Sequence, residues 1–322
     1  MSARDEVLSY IERGLIAPGQ ARPALQCVGA LPAAADWRRF IDRLLLWIGT
    51  TMLAAALVYF LAYNWDALGR FAKLGLAQVA IIAALGAAWR IGPERASGKA
   101  ALLAASIFTG ALLALIGQIY QTGADTFELF AAWAVAILPW VLVARFAGLW
   151  LLWLAIVNLA VVLYFDAFRG AFGILFGVQE QLWLLFAVNT VALAAMESAR
   201  ESGVPWLRPR WSLDLVATAS GAMVTALAVM AIFEFRWNPV SAFAIPAWVA
   251  WLAAAHAIYR HRVRDVFVLA GGALSLLVVC TAFLTKHVLG HAPGSYLFVA
   301  IIVIGLTAAF GWWLTAIARE EA

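Results

Sequence analysis

An all-α, polytopic transmembrane bundle of about ten spans is the fold the sequence predicts, and three observations predict it. From Leu44 onward, stretch after stretch of about twenty apolar residues fills the chain, the length that crosses a ~30 Å hydrocarbon core. Charged residues make up 12% of the 322 residues, against about a quarter in a soluble domain. The basic residues also sort by side. Arg4, Arg13, Arg22, Arg38, Arg39, Arg43, Arg90, Arg95, Lys99, Arg145, Arg200, Arg208, Arg210, Arg260, Arg262, Arg264 and Arg319 are expected on one face, which makes 17 of 22. Arg70, Lys73, Arg169, Arg236 and Lys286 are expected on the other. Cytoplasmic loops carry the arginine and lysine excess, so both termini are expected in the cytosol. Losing or adding one span would scramble the alternation.

Residues 1–42 form the one stretch of soluble character, read as a cytosolic helical hairpin followed by an interfacial helix. Val7, Leu8, Ile11 and Leu15 recur at helical spacing, and Gly14 supplies a stop. Pro18 suits the first turn of a second short helix through Leu25 and Val28, closed by Gly29 and Pro32. Helices this short are marginal alone, so they are expected to pack on each other, on the membrane or on a partner. Asp36 is expected to cap the next helix, whose Trp37, Phe40, Ile41 and Leu44 share a face beside Arg38, Arg39 and Arg43.

The spans follow at 43–63, 70–90, 99–121, 126–145, 147–167 and 180–199, a six-span half over 43–199. Residues 200–211, with Pro205, Trp206 and Pro209, form a cytosolic linker. A four-span half over 212–322 holds spans 212–234, 240–260, 265–285 and 295–318. Pro139 and Pro246 should kink the fourth and eighth spans. Between spans five and six, Phe165, Phe168, Phe172 and Phe176 alternate with Gly170, Gly173 and Gly177, a composition suited to an interfacial or re-entrant segment. Small residues four apart, as in Ser106/Gly110/Ala114, Ala217/Gly221/Thr225 and Gly271/Ser275, let helix backbones approach closely in lipid.

The chemistry the chain lacks narrows its function. No charged side chain falls in the middle of an assigned span, which counts against a proton pump built on a buried carboxylate. There is no His-Glu-x-x-His, no Gly-x-Ser-x-Gly and no phosphate-cradling loop, so no enzyme activity is expected. Cys27 and Cys280 fall in segments that do not meet, so no disulfide is expected. His287 and His291 stand four apart, but Gly290, Pro293 and Gly294 interrupt the helix, Lys286 repels a cation and no third ligand is adjacent. No metal and no cofactor is expected. The net charge of +4 lacks the clustered basic face of a nucleic-acid binder. Only Lys73, Lys99 and Lys286 are lysines among the basic residues, a bias of high-GC bacterial genomes, and the expected location is the bacterial inner membrane.

Two polar sets stand out. Asn158 and Asn189 lie near the midpoints of adjacent antiparallel spans, at a depth where their amides can bond across the interface. At the predicted outer face, Asn64, Trp65 and Asp66 end span one, while Gln118, Tyr120, Gln121, Asp125 and Glu128 surround the turn between spans three and four. Aromatic rings beside carboxylates suit a cation or an amine-bearing headgroup; the same residues also read as solvated helix caps.

The runs Ile11-Glu-Arg-Gly-Leu-Ile-Ala-Pro-Gly-Gln-Ala, Tyr59-Phe-Leu-Ala-Tyr-Asn-Trp-Asp-Ala-Leu, Gly117-Gln-Ile-Tyr-Gln-Thr-Gly and Leu129-Phe-Ala-Ala-Trp-Ala resemble DUF2157, a bacterial family of predicted membrane proteins, over roughly residues 5–150. The resemblance implies a short cytosolic helical head followed by many spans and carries no implied activity. The leading expectation is therefore a permease-like or lipid-handling membrane protein whose ligand enters at the outer polar-aromatic set. Its rival is a structural or accessory subunit that binds another membrane protein, or a second copy of itself, through small-residue faces or the N-terminal hairpin. Membrane lipids are expected partners in either case.

Overall fold

Leu, Ala and Val dominate segments with no nearby water to satisfy the backbone, and the helix is the local structure that closes every such hydrogen bond internally. A computed structural model describes residues 3–63, 69–168, 177–234, 239–288 and 293–320, and every regular element among them is helical. In chain order these are α1 (Ala3–Glu12), α2 (Ala21–Cys27), α3 (Ala34–Tyr63), α4 (Arg70–Ile91), α5 (Ala96–Tyr120), α6 (Thr126–Ala144) and α7 (Ala147–Phe168). They continue with α8 (Val178–Glu201), α9 (Trp211–Phe233), α10 (Pro239–Ala242), α11 (Ala244–Ala257), α12 (Val266–Val288) and α13 (Pro293–Glu320). Among the described residues 9 helices are long and apolar enough to cross a membrane, namely α3 to α9, α12 and α13. The chain is a polytopic helical membrane protein.

The eighth expected span differs. In place of one kinked helix over 240–260, the chain runs as α10, then the 14-residue α11, then a π-helical turn at Ile258–Arg262. Pro246 sits in the first turn of α11, where its missing N–H breaks no intrahelical bond. It starts a helix instead of bending one. Pro139, by contrast, lies inside α6.

The described residues fall into two compact units. One comprises Met1–Leu112 with Arg319–Ala322, the other Leu113–Ala318. In the first, α1 packs on α2, and Gly14 (φ 72°) and Gly29 (φ 73°) end them in the left-handed region that favours glycine. The interfacial helix and the first span form one continuous helix, α3. Asp36 is not its N-cap: it lies in the first turn and accepts a bond from the Ala33 N–H at 2.9 Å, with the Arg39 guanidinium 2.6 Å away. Between α4 and α5 the chain turns so tightly that a Cβ on Gly98 would collide with the Gly92 carbonyl oxygen.

In the second unit, α6 and α7 form a hairpin turned by Arg145 (φ 43°), and Trp153 Nε1 donates to the Ala134 carbonyl at 3.0 Å. Helix α9 is the centre, packed against α8, α11 and α12. Its buried positions Leu213, Val216, Ala217, Ser220, Gly221, Val224, Leu227 and Ala228 repeat at three and four residues. Lipid is as apolar as leucine, so close packing and interhelical hydrogen bonds must hold these helices together. Two hydroxyl pairs supply the bonds. Thr190 and Ser220 lie 2.7 Å apart across α8 and α9, and Thr225 and Ser275 lie 2.6 Å apart across α9 and α12. Each pair also receives an indole from the short helix: Trp251 Nε1 donates to Ser220 at 3.0 Å and Trp248 Nε1 to Ser275 at 2.9 Å. Helix α11 is thus held by its two tryptophans. Replacing Ser275 with alanine should strand the Trp248 N–H and lower the apparent Tm in detergent by the loss of about 1–2 kcal/mol, read by thermal unfolding.

Candidate functional site

Among the described residues no group of three or more His, Cys, Asp or Glu side chains is placed to hold a metal ion, and polar groups and open volume gather at a few distinct places. Of the expected outer-face set, Asn64, Trp65 and Asp66 lie outside the described residues. The other five all sit in exposed positions: Gln118 and Tyr120 end α5, Gln121 turns the chain in a left-handed conformation (φ 44°), and Asp125 and Glu128 flank the start of α6. Asp125 occupies the N-cap position with an extended backbone, without a capping bond from its side chain. None of these five lines a groove described below. His291, Phe172 and Phe176 also lie outside the described residues; His287 stacks on Phe283 with ring centroids 4.3 Å apart.

The two mid-span asparagines meet. Asn189 Nδ2 donates to Asn158 Oδ1 at 2.6 Å and Asn158 Nδ2 to Asn189 Oδ1 at 3.3 Å, while each amide also donates to the carbonyl one turn back, Leu185 and Leu154, at 2.8 Å. Asn189 is buried, with 2% of its surface exposed. Every polar atom of the pair finds a partner within α7 and α8, which is the arrangement of a helix clasp. Asn189→Leu should cost about 0.6–2 kcal/mol by leaving Asn158 half-satisfied, and Asn158→Leu/Asn189→Leu together should recover most of it. Unfolding of the single and double variants in one detergent checks this.

Between α9 and α12 runs a groove of about 540 Å³. Its floor is Trp251 of α11, and its walls are the small residues Ala217, Gly221, Ala222 and Gly271 with the hydroxyls Thr225 and Ser275. Phe267 and Leu274 stand exposed at its rim. The lining runs from Ala217 to Met230 along α9, about 20 Å at 1.5 Å per residue. Small side chains on both helices leave room that larger ones would close. The Gly221 and Gly271 spacings visible in the sequence as packing devices therefore also open this groove. A second groove of about 680 Å³ near the far end of α12 is bordered by Trp248, Phe283, Lys286 and His287, and Lys286 Nζ donates to the Ile232 carbonyl.

At the arginine-rich end, the starts of α9 and α12 are tied by a charged knot that sequence reasoning missed. Arg210 Nη2 lies 3.0 Å from Glu197 of α8, its Nε bonds Asp265, and Asp214 is 3.9 Å away. The side chains of Glu197, Arg210 and Asp265 are 13%, 19% and 8% exposed, so this is a largely desolvated cluster. Tyr259 donates its hydroxyl to Glu197 at 3.0 Å and lies under the guanidinium, 5.6 Å from its carbon to the ring centroid. Asp265 also caps α12, accepting from the Phe267 and Val268 amides at 2.9 and 3.4 Å. Burial alone would lower the Arg210 pKa, but the hydrogen bonds and charges of Glu197 and Asp265 outweigh it and leave it raised. Arg210 and Asp265 are 55 residues apart in sequence, Tyr259 and Glu197 62, and Arg210 and Glu197 13. The available signal was acidic residues, Asp214 and Asp265, persisting on a side otherwise rich in arginine.

No curated protein and no solved structure matches the chain. One family does match, and it is the one the opening motifs resemble: residues 8–150, from the N-terminal head through the start of α7, match DUF2157, described as "Predicted membrane protein".

Proposed function

We propose that this protein binds membrane lipid laterally, taking an acyl chain into the groove between α9 and α12, as a non-catalytic component of the cytoplasmic membrane with both termini in the cytosol. The observation that carries the reading is the groove: about 540 Å³, walled by small apolar side chains, and running along two helices of span length. Its length of about 20 Å exceeds the ~15 Å that a single leaflet contributes to the ~30 Å hydrocarbon core, so one extended acyl chain fits along it. A polar-solute path has less support, because the groove between α9 and α12 is lined almost wholly by apolar side chains and the mid-span asparagines satisfy each other. The accessory-subunit reading draws on the same small residues, which would equally admit a partner helix.

The test is photolabelling of the full chain in nanodiscs with a phospholipid that carries a photoreactive group on its acyl chain. Peptides covering 217–230 and 267–278 should be labelled well above the exposed face of α6 at Leu142 and Val143, which lines no groove among the described residues. Uniform labelling of all exposed helices would count against the groove. Protection of the same peptides by a stoichiometric co-purifying protein would favour the accessory subunit.

A further inference from the structure

We infer that the lipid seated in this groove is an anionic phospholipid, its headgroup held by Arg208 and Arg264. The inference rests on the lipid reading above and adds the identity of the headgroup. The Arg210–Asp265 pair joins the start of α9 to the start of α12. Arg208 lies two residues before one partner of that pair and Arg264 one residue before the other, so both flank the starts of the two helices that wall the groove, whose lining begins at Ala217 on one and at Phe267 and Val268 on the other. Both are exposed, and neither forms an ion pair among the described residues. Arg264 takes a left-handed backbone (φ 53°), uncommon for a residue other than glycine or asparagine.

Charge balance selects the sign of the ligand. Arg200, Arg208, Arg210, Arg260, Arg262 and Arg264 stand at this end against Glu197, Glu201, Asp214 and Asp265, an excess of two positive charges. Arg210 faces three of these carboxylates and Arg262 pairs with Glu201 at 3.2 Å, and no carboxylate among the described residues pairs with Arg208 or Arg264. Trp211, half exposed at the first residue of α9, marks the depth where hydrocarbon gives way to headgroup. A phosphate at that level, with no compensating ammonium, meets two guanidinium groups while its acyl chain descends the groove.

Two photoreactive lipids with the same acyl chain, a phosphatidylglycerol and a phosphatidylcholine, are compared on the full chain in nanodiscs of otherwise equal composition. Phosphatidylglycerol should label 217–230 and 267–278 several-fold more than phosphatidylcholine. Arg208→Gln and Arg264→Asn, the latter suited to the left-handed turn, should each reduce phosphatidylglycerol labelling about fivefold and leave phosphatidylcholine labelling unchanged. Raising salt should erode the preference in the unsubstituted protein, a readout that needs no variant. Equal labelling by both lipids, indifferent to salt, would overturn the headgroup assignment and leave the groove intact. Absence of groove labelling by either lipid would overturn the lipid reading itself.

Discussion

Arg210→Ala should unfold the second unit more readily than any other single substitution considered, lowering stability by about 3–5 kcal/mol, the range for removing one partner from a buried ion pair. The cause is not the loss of one attractive contact. Glu197 and Asp265 are 13% and 8% exposed on their side chains, and without the guanidinium both carboxylates stay desolvated with no cation between them. Tyr259 would retain its bond to Glu197 but lose the cation over its ring. Arg210→Lys should recover only part of the loss. A single ammonium cannot reach Glu197 through one nitrogen and Asp265 through another as the planar guanidinium does. Arg210→Met with Glu197→Gln and Asp265→Asn should be milder than Arg210→Ala, since it removes the stranded charges; unfolding of the three variants in one detergent gives the order. The pH dependence has a definite sign. Because Arg210 has a raised pKa in the folded state, its contribution is fully present below its unfolded value and fades only as strongly alkaline pH is passed. Stability of the unsubstituted protein between pH 6 and 9 should therefore not vary on account of this group.

This knot also marks where the sequence stops being legible. Span-length apolar runs and arginine sorting are local or additive signals, so helices α4 to α9, α12 and α13 could be placed from them within a few residues, and α3 at its C-terminal end. The Asn158–Asn189 contact was legible for a related reason: equal depth on consecutive antiparallel spans leaves two amides few other partners. The broken eighth span was not. Residues 240–260 are as apolar as their neighbours, and the division into α10 and α11 depends on Pro246 taking a first-turn position, which hydropathy does not register. Glu197, Arg210 and Asp265 each read as ordinary helix flanks, since only tertiary packing brings positions 55 residues apart to one point. The groove was half visible. The small-residue spacing of α9 and α12 was plain, but whether such faces close on each other or stay apart depends on what lies beneath them, and here that is Trp251.

Gly221→Val follows from that arrangement and should have the second largest effect, about 2–4 kcal/mol, combining overpacking with a lost indole hydrogen bond. A Cβ built at Gly221 would stand 2.8 Å from the outermost ring carbon of Trp251 and 3.1 Å from the next. A flexible side chain could swing aside from such a contact, but this ring is rigid and its Nε1 is engaged with Ser220 at 3.0 Å. Moving the ring breaks that bond and disturbs the Ser220–Thr190 pair across α8 and α9. Keeping the ring forces α9 and α11 apart. Gly221→Ala should follow the same course at the lower end of the range. The functional consequence separates from the structural one through Ala222, an exposed neighbour on the groove wall. Ala222→Leu should leave the unfolding temperature close to that of the unsubstituted protein while filling the groove, and acyl-chain photolabelling of 267–278 should fall severalfold. If Ala222→Leu lowers labelling no more than a matched substitution on α6 does, the volume between α9 and α12 is not where lipid binds.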